Sequence, residues 1–520
     1  MSSPIKTEVL IVGAGPTGLS LACQLVRYGI DFVIVEQNET VTPYSKALGV
    51  HARTLEIYEQ MGLAEPAVSQ GTIAGKIRLL EKGEVVGELD LSHIGEGISP
   101  FPYMLVLEQS QNEKLLYEYL KAHGREVQWQ TECAYFSQNA SGVTATLHDK
   151  TGASQIVEAK YLVGCDGARS PIRIALGLSF EGSTNARTFY VADVEIDWKF
   201  GHDALHGSLA RNAVVAFFPM PGGEKRWRIV GAFPEEFAKD EGDILYEEIE
   251  ARIKEEAEVD LEITHVYWFS IYKIHTRHVE KFSSGRCFLA GDSAHIHTPA
   301  GGQGMNTGIQ DAYNLAWKLA LVLQGVAGEQ LLETYNEERL PNAKKLVETT
   351  DRMFDIVAGT DWFVNVIRTT VFPPMARFIL GLDAVKHRFF RMISQVGIRY
   401  RRSSLSQHEG DEDFEVKAGD RLPYFLVDGH SIYDQLRAPK FHLLTFSDGQ
   451  KDYLAAAAAL VSKYDGLVDH HVVPLYERIE EIFDTKEPFS VLLRPDNYIA
   501  YLSSDTSAGP LQAYLKKLLE

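Results

Sequence analysis

The N-terminal region alternates apolar runs with glycines in a way that predicts a strand, a turn and a helix. Residues 9–13 form a β-branched, apolar run long enough for one buried strand. Apolar residues between 19 and 26 then recur at helical spacing, and Gly29 ends that helix. A second apolar run, residues 32–35, closes on Glu36. The pattern predicts a βαβ unit of about thirty residues with an acid at the tip of its second strand.

The middle of the chain is dominated by strand-like alternation. Before it, Ser110 and Glu113 fit a capping box at the start of a helix that Gly124 ends. Alternation of apolar and polar residues then prevails between 180 and 280, which predicts a sheet-rich insertion. The acidic stretch 247–262 within it has helical spacing and is most simply a solvated face.

The second half of the chain returns to mixed α/β patterning. Residues 287–290 form a short buried strand, and a helix with one apolar face begins near Thr307. Residues 402–413 are polar and loop-like, whereas 441–446 and 452–464 have the patterns of a strand and a helix. The last part of the chain therefore predicts a separate α/β unit.

Length and charge restrict the class of protein. A chain of 520 residues suggests about three domains or one large domain with additions. The 51 Lys and Arg against 71 Asp and Glu give a net charge of −20, which disfavours nucleic-acid or anionic-membrane binding. The four cysteines are widely spaced and form no CxxC pair, so they indicate neither a disulfide framework nor a zinc site. With no signal-peptide pattern at residues 1–8, we expect a soluble, cytoplasmic protein.

The first turn has the composition of a phosphate-binding loop. It fits the pattern GxGxxG and reads Gly13-Ala14-Gly15-Pro16-Thr17-Gly18. Glycines let the backbone approach a diphosphate, and the helix N-terminus behind them supplies partial positive charge. Glu36 could accept two hydrogen bonds from ribose hydroxyls. The alternative is a glycine-rich turn without a ligand.

A second glycine loop, residues 299–306, feeds the helix that begins near Thr307. It is a second anion-stabilising device, far from the first in sequence. Two such devices suit a ligand with a diphosphate and another charge-accepting end, and FAD has that shape. Gln109 lies just before a predicted helix and could point at the same ligand.

Three motifs together resemble those of the FAD-dependent aromatic hydroxylases, the p-hydroxybenzoate and phenol hydroxylase family. The first is the glycine turn with Glu36, and the second is Cys165-Asp166-Gly167-Ala168-Arg169-Ser170 with Arg173. The third begins as Gly291-Asp292-Ser293-Ala294-His295, continues through Pro299-Ala300-Gly301-Gly302-Gln303-Gly304-Met305-Asn306 and ends as Asp311-Ala312-Tyr313-Asn314-Leu315-Ala316-Trp317-Lys318-Leu319. The resemblance covers roughly residues 5–345.

The resemblance implies an α/β fold with a Rossmann-like FAD-binding domain and an inserted sheet-rich substrate domain. We assign residues 1–180 and 280–345 to FAD binding, 75–107 and 180–280 to the substrate sheet, and 346–400 to a helical connection. The larger relatives end in a thioredoxin-like α/β domain, which residues 401–520 resemble. No cysteine follows Cys287, so this unit cannot perform dithiol chemistry. We interpret it as structural, with a role in forming a homodimer.

The family also implies a reaction and its residues. NADPH or NADH reduces the flavin, O2 adds at flavin C4a, and the hydroperoxide delivers an OH group to an electron-rich aromatic, phenolic or polyketide-like substrate. By motif, Asp292 would bind the ribityl chain and Pro299 would lie near the reacting flavin edge. Asp166 is linked to both FAD and nicotinamide binding, which makes Pro299 and Asp166 the catalytic candidates. The remaining cofactor candidates are the backbone of Gly302, Gly304, Met305 and Asn306, together with Gln109, Arg53 and Lys46.

One position departs from the family. Lys46 stands where relatives commonly place an arginine against the diphosphate. Lysine keeps the charge but loses the planar, bidentate fork, so this contact is weaker or passes to Arg53.

The sequence allows a second interpretation for several of these residues. Asp166 could merely cap the turn after its strand. His295 and His297 could suggest a metal, but no Cys or acid spacing supports one, so we expect no metal and a motif-supporting role. Phe217, Phe218 and Trp227 could line a substrate pocket or belong to the core.

The function itself keeps alternatives too. The same scaffold could serve a flavin oxidase, reductase or epoxidase, or an antibiotic-inactivating monooxygenase. A different class is an FAD-binding regulatory protein without turnover. An aromatic monooxygenase is the first interpretation, because merely holding FAD requires neither the middle Asp-Gly motif nor the Pro299 loop.

Overall fold

The computed structural model describes residues 3–45, 47–209, 214–233, 245–298, 302–358, 383–410, 413–449, 451–505 and 507–519. Its helices are α1 (Pro16–Arg27), α2 (Ala52–Glu59), α3 (Ala64–Gln70), α4 (Gln109–Ala122), α5 (Pro171–Ala175), α6 (Tyr246–Ala257), α7 (Gly304–Leu323), α8 (Gln330–Ala358), α9 (Asp383–Ile393), α10 (Lys451–Val461), α11 (Glu477–Phe483) and α12 (Ala508–Leu519). Short 3-10 turns lie at Gly291–Ser293, Ile432–Gln435 and Ser462–Tyr464. In the described part of the chain, no helix is long and apolar enough to cross a membrane.

The first sheet brings all three sequence motifs to one edge. Its strands lie in the order Ser283–Ser284, Cys287–Leu289, Ser154–Gly164, Ile5–Val12, Phe32–Val35, and Thr131–Asn139 and Gly142–Asp149 extend it from the third strand. The four strands from Cys287–Leu289 to Phe32–Val35 are parallel. Val12 is aligned with Val35 and Gly164, and Gly164 with Leu289. The turns that follow these carboxyl ends therefore emerge side by side, as in other ligand-binding α/β sheets.

The second sheet joins two separate segments of the chain. Its eight strands run in the order His295–Ile296, Leu261–Val279, Phe180–Trp198, Arg226–Ala232, Val214–Pro219, Ala204–Leu209, Lys76–Glu81, Glu84–Asp90. One face carries a buried apolar cluster to which α6 contributes Ile249 and Ile253. The opposite face carries Arg226, which forms an ion pair of 3.0 Å with Glu108 immediately before α4.

The C-terminal unit has a sheet of its own. Its strands lie in the order Gln407–Glu409, Ile499–Ser503, Phe489–Leu493, Phe441–Ser447, Val468–Pro474. A parallel βαβ unit containing α10 is followed by two antiparallel strands and α12. This connectivity is compatible with a thioredoxin-like unit, which stays a prediction. Two small sheets complete the strands, one of Gly49–Val50, Met104–Val106 and Thr72–Ala74 and one of Leu426–Val427 and His430–Ser431.

Three element boundaries differ from the sequence predictions. The capping box is wrong: α4 begins at Gln109, and the hydroxyl of Ser110 instead accepts a hydrogen bond of 3.1 Å from Ser45 Oγ. Helix α6 ends at Ala257, because Glu258 adopts a left-handed φ of 49°. Helix α7 begins at Gly304, three residues earlier than expected.

Candidate active site

The glycine turn is built by close backbone contacts. A Cβ at Gly13 would lie 2.4 Å from the Cys165 carbonyl oxygen, and one at Gly18 would lie 1.9 Å from the Gly13 carbonyl oxygen. Gly13 also has a φ of 102°, which favours glycine. Beside Gly15, in contrast, no atom lies within 4 Å of the Cβ position. Gly15 therefore leaves open the N-terminus of α1, where Pro16 occupies the first turn.

Thr17 connects the first motif to the third. Its Oγ1 lies 2.4 Å from the Cβ position of Gly291 and 2.2 Å from that of Gly308. Any side chain at either glycine would displace Thr17. Helices α1 and α7 consequently pack tightly beneath the two glycine loops.

Glu36 stands beside the same turn. Its Oε2 accepts a hydrogen bond of 2.8 Å from the Ala14 amide, and its Oε1 accepts from the Asn38 amide at 3.0 Å. The carboxylate is half-buried at the carboxyl end of its strand. It can therefore accept ribose hydroxyls from a nucleotide whose diphosphate lies at Gly15.

Asp166 caps a turn with one carboxylate oxygen and has a second oxygen available for a cofactor. Its Oδ2 accepts from the Ile172 amide at 3.0 Å, so it does cap the turn before α5. Its Oδ1 is buried and has no protein partner. Burial raises the pKa of this carboxyl, against the opposing hydrogen bonds from Ser170 and Ile172. An acceptor oxygen thus remains available beside Gly13.

The third motif is held by a buried carboxylate. Asp311 Oδ2 accepts from the Gly291 amide at 2.9 Å and lies 2.7 Å from His295 Nε2. Asp311 Oδ1 accepts from Arg339 Nε at 2.6 Å. Burial opposes ionisation of Asp311, but Arg339 and His295 outweigh it, so its pKa lies below the ordinary value. His295 has the motif-supporting role, while Asp292 is exposed at the turn.

The loop before α7 provides backbone groups. Gly302 has a φ of 63°, and Gly304 is the first residue of α7. The carboxamide of Asn306 is fully engaged, since Oδ1 accepts from the His51 amide and Nδ2 donates to the carbonyls of Gly49 and Gly302, all at 2.9 Å. Only the backbone of Asn306 is therefore left for a ligand.

Met305 is buried, and its sulfur accepts from Asn112 Nδ2 at 3.4 Å. Gln109 holds the loop at Ala47, because its Oε1 accepts a hydrogen bond of 3.1 Å from the Ala47 amide. Its Nε2 donates to Glu113, one turn along the same helix, at 2.8 Å. Burial raises the pKa of Glu113 to about 7. Gln109 therefore lies beside the loop that carries Lys46. Lys46 and Pro299 fall outside the described residues.

The Arg53 side chain is surrounded by protein groups, and its contact with the cofactor stays a prediction. Its guanidinium pairs with Glu56 at 2.9 Å and donates to the Asp496 carbonyl at 2.7 Å. It also lies between the rings of Tyr313 and Tyr498. This buried side chain connects α2 to the C-terminal unit instead of facing the glycine loops.

The three aromatic candidates lie on two different faces of the second sheet. Phe217 and Trp227 are completely buried in the apolar cluster beneath the sheet, so they are core residues. Phe218 points the other way and packs against Leu48 and Val106. Of the three, Phe218 alone lies on the face opposite the core cluster.

Sequence reasoning missed Arg228, which shares that face. Its Nε and Nη2 donate to the Asp193 carboxylate at 2.6 and 2.8 Å, while its Nη1 is buried without a partner. The guanidinium lies 5.9 Å from the Trp268 ring, which stacks on Tyr44 at 5.8 Å. The sequence did contain a sign of this residue, because an arginine within the apolar strand 226–232 is unusual. Aromatic rings and a guanidinium suit a planar ligand that carries an acidic oxygen.

A small cleft lies near the loop before α7. A Cβ at Gly302 would lie 3.9 Å from His51 Nε2, and His51 is one of its lining residues. The wall is predominantly apolar and consists of His51, Ala52, Leu91, Ile94, Tyr103, Met104, Phe390, Ile393 and Ser394. The cleft therefore lies between α2 and the end of α9, and His51 separates it from Gly302.

Known proteins match this architecture over nearly the whole chain. A family described as FAD binding domain matches residues 6–350. The 6-methylpretetramide 4-monooxygenase of Streptomyces rimosus is 31% identical, over 98% of this chain and 93% of its own. The pentachlorophenol 4-monooxygenase of Sphingobium chlorophenolicum is 29% identical, over 94% and 93%. The structure of aklavinone-11 hydroxylase in a ternary complex with FAD and aklavinone has a TM-score of 0.81, 25% identity and coverage of 100% of both chains.

The residues of the site fit the cofactor of these relatives. The open N-terminus at Gly15 suits a diphosphate, Glu36 suits a ribose, and the buried Asp166 Oδ1 has an acceptor to offer. The chain belongs to the FAD-dependent aromatic hydroxylases: it is a flavoprotein monooxygenase that uses FAD, with NAD(P)H as the electron donor of its family.

Proposed function

We propose that this monooxygenase hydroxylates a phenolic or polyketide-like aromatic compound, with dioxygen as co-substrate. One oxygen atom enters the ring as a hydroxyl group and the other leaves as water. NAD(P)H gives up two electrons and becomes NAD(P)⁺, and one proton is taken up from solvent. The observation that carries the proposal is the aromatic, arginine-bearing face of the second sheet, on which Trp268 stacks on Tyr44.

Bound FAD supplies the acceptance of hydride from NAD(P)H and the activation of dioxygen. The chain's own task is to bind and orient it. The N-terminus of α1 offers amides and partial positive charge to the diphosphate, and the N-terminus of α7 offers the same to negative charge on the reduced ring. The proposed cofactor residues are Gly13, Gly15, Pro16, Thr17, Gly18, Glu36, Lys46, Gln109, Asp166, Asp292, Pro299, Gly302, Gly304, Met305 and Asn306.

Asp166 is proposed to act between the two cofactors. Its unpartnered Oδ1 would accept a hydrogen bond from FAD or from the nicotinamide nucleotide. Neither Gly302 nor any residue from Gly304 to Asn306 is an acid or a base. The described part of the second loop therefore contributes geometry and backbone charge, not proton transfer.

The substrate is proposed to have several fused rings and an acidic oxygen. Trp268 and Phe218 would stack on the rings, and Arg228 Nη1 would donate to a phenolate or enolate oxygen. Relatives named for 6-methylpretetramide, aklavinone and pentachlorophenol define the range of candidates.

The test is a substrate panel with product analysis. Purified holoenzyme is supplied with NADH or NADPH and either single-ring phenols or aromatic polyketides, and NAD(P)H consumption is compared with hydroxylated product. We expect polyketides to stimulate NAD(P)H oxidation and to be hydroxylated. Stoichiometric hydrogen peroxide without product would establish an oxidase instead, and FAD binding without turnover a regulatory protein.

Substitutions of two neighbouring phenylalanines distinguish a role in substrate binding from a role in the core. Phe218→Ala should raise KM for the substrate and leave the melting temperature nearly unchanged, because this side chain is half-buried on the proposed wall. Phe217→Ala should cost about 3–5 kcal/mol of stability, because it empties part of the core. Equal KM values for Phe218→Ala and the wild type would remove this face from the substrate site.

The C-terminal unit is proposed to be structural. It has no cysteine, and it supplies the Arg494 and Asp496 side chains to a buried ion network with α8. Formation of a homodimer stays a prediction, which light scattering on the full chain tests. Cytoplasmic localisation likewise stays a prediction.

A further inference from the structure

Gln395 lies just beyond α9 in a conformation that glutamine seldom adopts. Its φ is 61°, in the left-handed region, and its side chain is buried. A non-glycine residue persists in that region only where its surroundings fix it. Its side-chain contacts show what fixes it.

The carboxamide of Gln395 forms hydrogen bonds with the start of α7. Gln395 Nε2 donates to Thr307 Oγ1 at 2.8 Å and to the Gln303 carbonyl at 3.4 Å, and its Oε1 accepts from Gln310 Nε2 at 2.6 Å. Thr307 Oγ1 in turn donates to the Gln303 carbonyl at 2.9 Å. All of these partners belong to the first two turns of α7 or to the residue preceding it. Gln395 therefore constrains the helix terminus that faces the proposed flavin site.

The same segment forms part of the cleft wall. Phe390, Ile393 and Ser394 line the cleft, and the Ser394 carbonyl accepts from the Arg53 amide at 3.2 Å. Ser394, which lines the cleft, and Gln395, which binds the start of α7, are consecutive residues. A displacement of one therefore moves the other through the backbone.

We infer that Gln395 is a positioning residue that sets the geometry of the α7 N-terminus against the flavin and thereby the yield of hydroxylation per NAD(P)H. This inference rests on the proposed function. Backbone amides stabilise charge only at hydrogen-bonding distance, so a small displacement of the first turn weakens their effect on the reduced ring. Gln395 itself touches neither cofactor nor substrate in this scheme.

The experiment uses full-length holoenzyme with two substitutions of similar size. Gln395→Glu places an oxygen where the amide group donates to Thr307, and Gln395→Met removes all three side-chain hydrogen bonds, to Thr307, Gln303 and Gln310. We measure bound FAD, the flavin reduction potential and hydroxylated product per NAD(P)H. We expect FAD content near that of wild type, a lowered potential and a several-fold smaller product yield, with hydrogen peroxide making up the difference.

Gln60 provides a matched control. It is another buried carboxamide that joins the two units, since its Nε2 donates to the Leu436 carbonyl at 3.0 Å and its Oε1 accepts from Tyr313 at 2.7 Å. It makes no bond to the first turn of α7 among the described residues. Gln60→Met should lower stability as Gln395→Met does, with wild-type potential and product yield.

Wild-type potential in both Gln395 variants would overturn the inference, and so would an equal loss of yield in Gln60→Met. If Gln395→Met does not fold, Gln395→Glu and Gln395→Asn decide the question, because Asn tolerates the left-handed region. A wild-type enzyme that hydroxylates no aromatic compound would refute the proposed function, whereas the reduction potentials of the variants would still decide the role of Gln395.

Discussion

Two carboxylates at the sheet edge, Glu36 and Asp166, are held by protein hydrogen bonds beside the glycine turn. Glu36 accepts from the Ala14 amide beside the open glycine turn, and Asp166 caps α5 while its Oδ1 stays unpartnered. Both acids are held in place before any nucleotide arrives. Such preorganisation reduces the entropy lost on binding.

Glu36→Ala should weaken FAD binding without unfolding the protein. Loss of the ribose hydrogen bonds should cost about 1–3 kcal/mol, measured by fluorescence titration of the apoprotein with FAD. Glu39→Ala, an exposed neighbour, is the control and should bind FAD as the wild type does. Wild-type affinity in Glu36→Ala would exclude Glu36 from the site.

Asp166→Asn should slow flavin reduction by NAD(P)H yet stabilise the fold at neutral pH. Burial raises the pKa of Asp166, so ionisation of the folded protein is unfavourable, and this cost sets in as pH rises above the unfolded value of about 3.9. The melting temperature of Asp166→Asn relative to wild type should therefore rise between acid and neutral pH. Unchanged reduction rates in stopped-flow experiments would remove Asp166 from the reaction.

At the scale of elements, helix α7 presents two positive-φ glycines in opposite settings. Gly302, just before the helix, has a φ of 63° and faces the proposed flavin site. Gly325, just after it, has a φ of 69° and nothing within 4 Å of its Cβ position. Backbone strain is thus nearly equal at the two ends, while only the Gly302 end belongs to the proposed flavin site.

Gly302→Val and Gly325→Val should each lose about 1–2 kcal/mol of stability from the left-handed backbone. Only Gly302→Val should also lose FAD or, where FAD remains, release hydrogen peroxide in place of product. FAD content and product per NAD(P)H are the measurements. Normal values for both quantities in Gly302→Val would show that this loop does not adjoin the flavin.

The cofactor-binding elements could be predicted because short stretches of sequence encode them. Contacts between residues far apart in the chain could not be predicted. The glycine turn and Glu36 depend on strand ends and φ angles that short stretches encode. The hydrogen bond from Arg53 to the Asp496 carbonyl could not be predicted, because the two residues lie 443 positions apart in the chain. The capping box failed for the same reason, since Ser110 pairs with Ser45. Which face of its strand Arg228 occupies depends on which side of the sheet the core covers.

At the scale of the whole molecule, a buried ion network joins the FAD-binding and C-terminal units. Glu338 on α8 accepts from Lys318 at 2.8 Å and from Arg494 Nη2 at 3.1 Å, and Arg494 also pairs with Asp496 at 2.5 Å. Burial opposes ionisation of Glu338, but Arg494 and Lys318 hold its pKa well below the ordinary value. The two units should therefore unfold together.

Arg494→Met should cost about 3–5 kcal/mol, because it leaves buried carboxylates with too few partners. The control, Arg437→Met, removes a half-exposed ion pair with Glu59 across the same interface and should cost less than about 1 kcal/mol. Because the pKa of Glu338 is depressed in the folded protein, its stabilising effect is complete above the unfolded value and is lost as pH falls toward the folded value. The difference between wild type and Arg494→Met should therefore shrink below about pH 4. Thermal unfolding over pH checks both statements, and equal losses in the two variants would contradict them.

The most direct test of the account follows the oxygen atom. Holoenzyme is given NAD(P)H, ¹⁸O₂ and the aromatic polyketide that best stimulates NAD(P)H oxidation, and the product is analysed by mass spectrometry. The expected product carries a single ¹⁸O in a new ring hydroxyl group, in proportion to NAD(P)H consumed. A product labelled only from water, or hydrogen peroxide as the sole fate of the oxygen with every aromatic compound in the panel, would contradict the account.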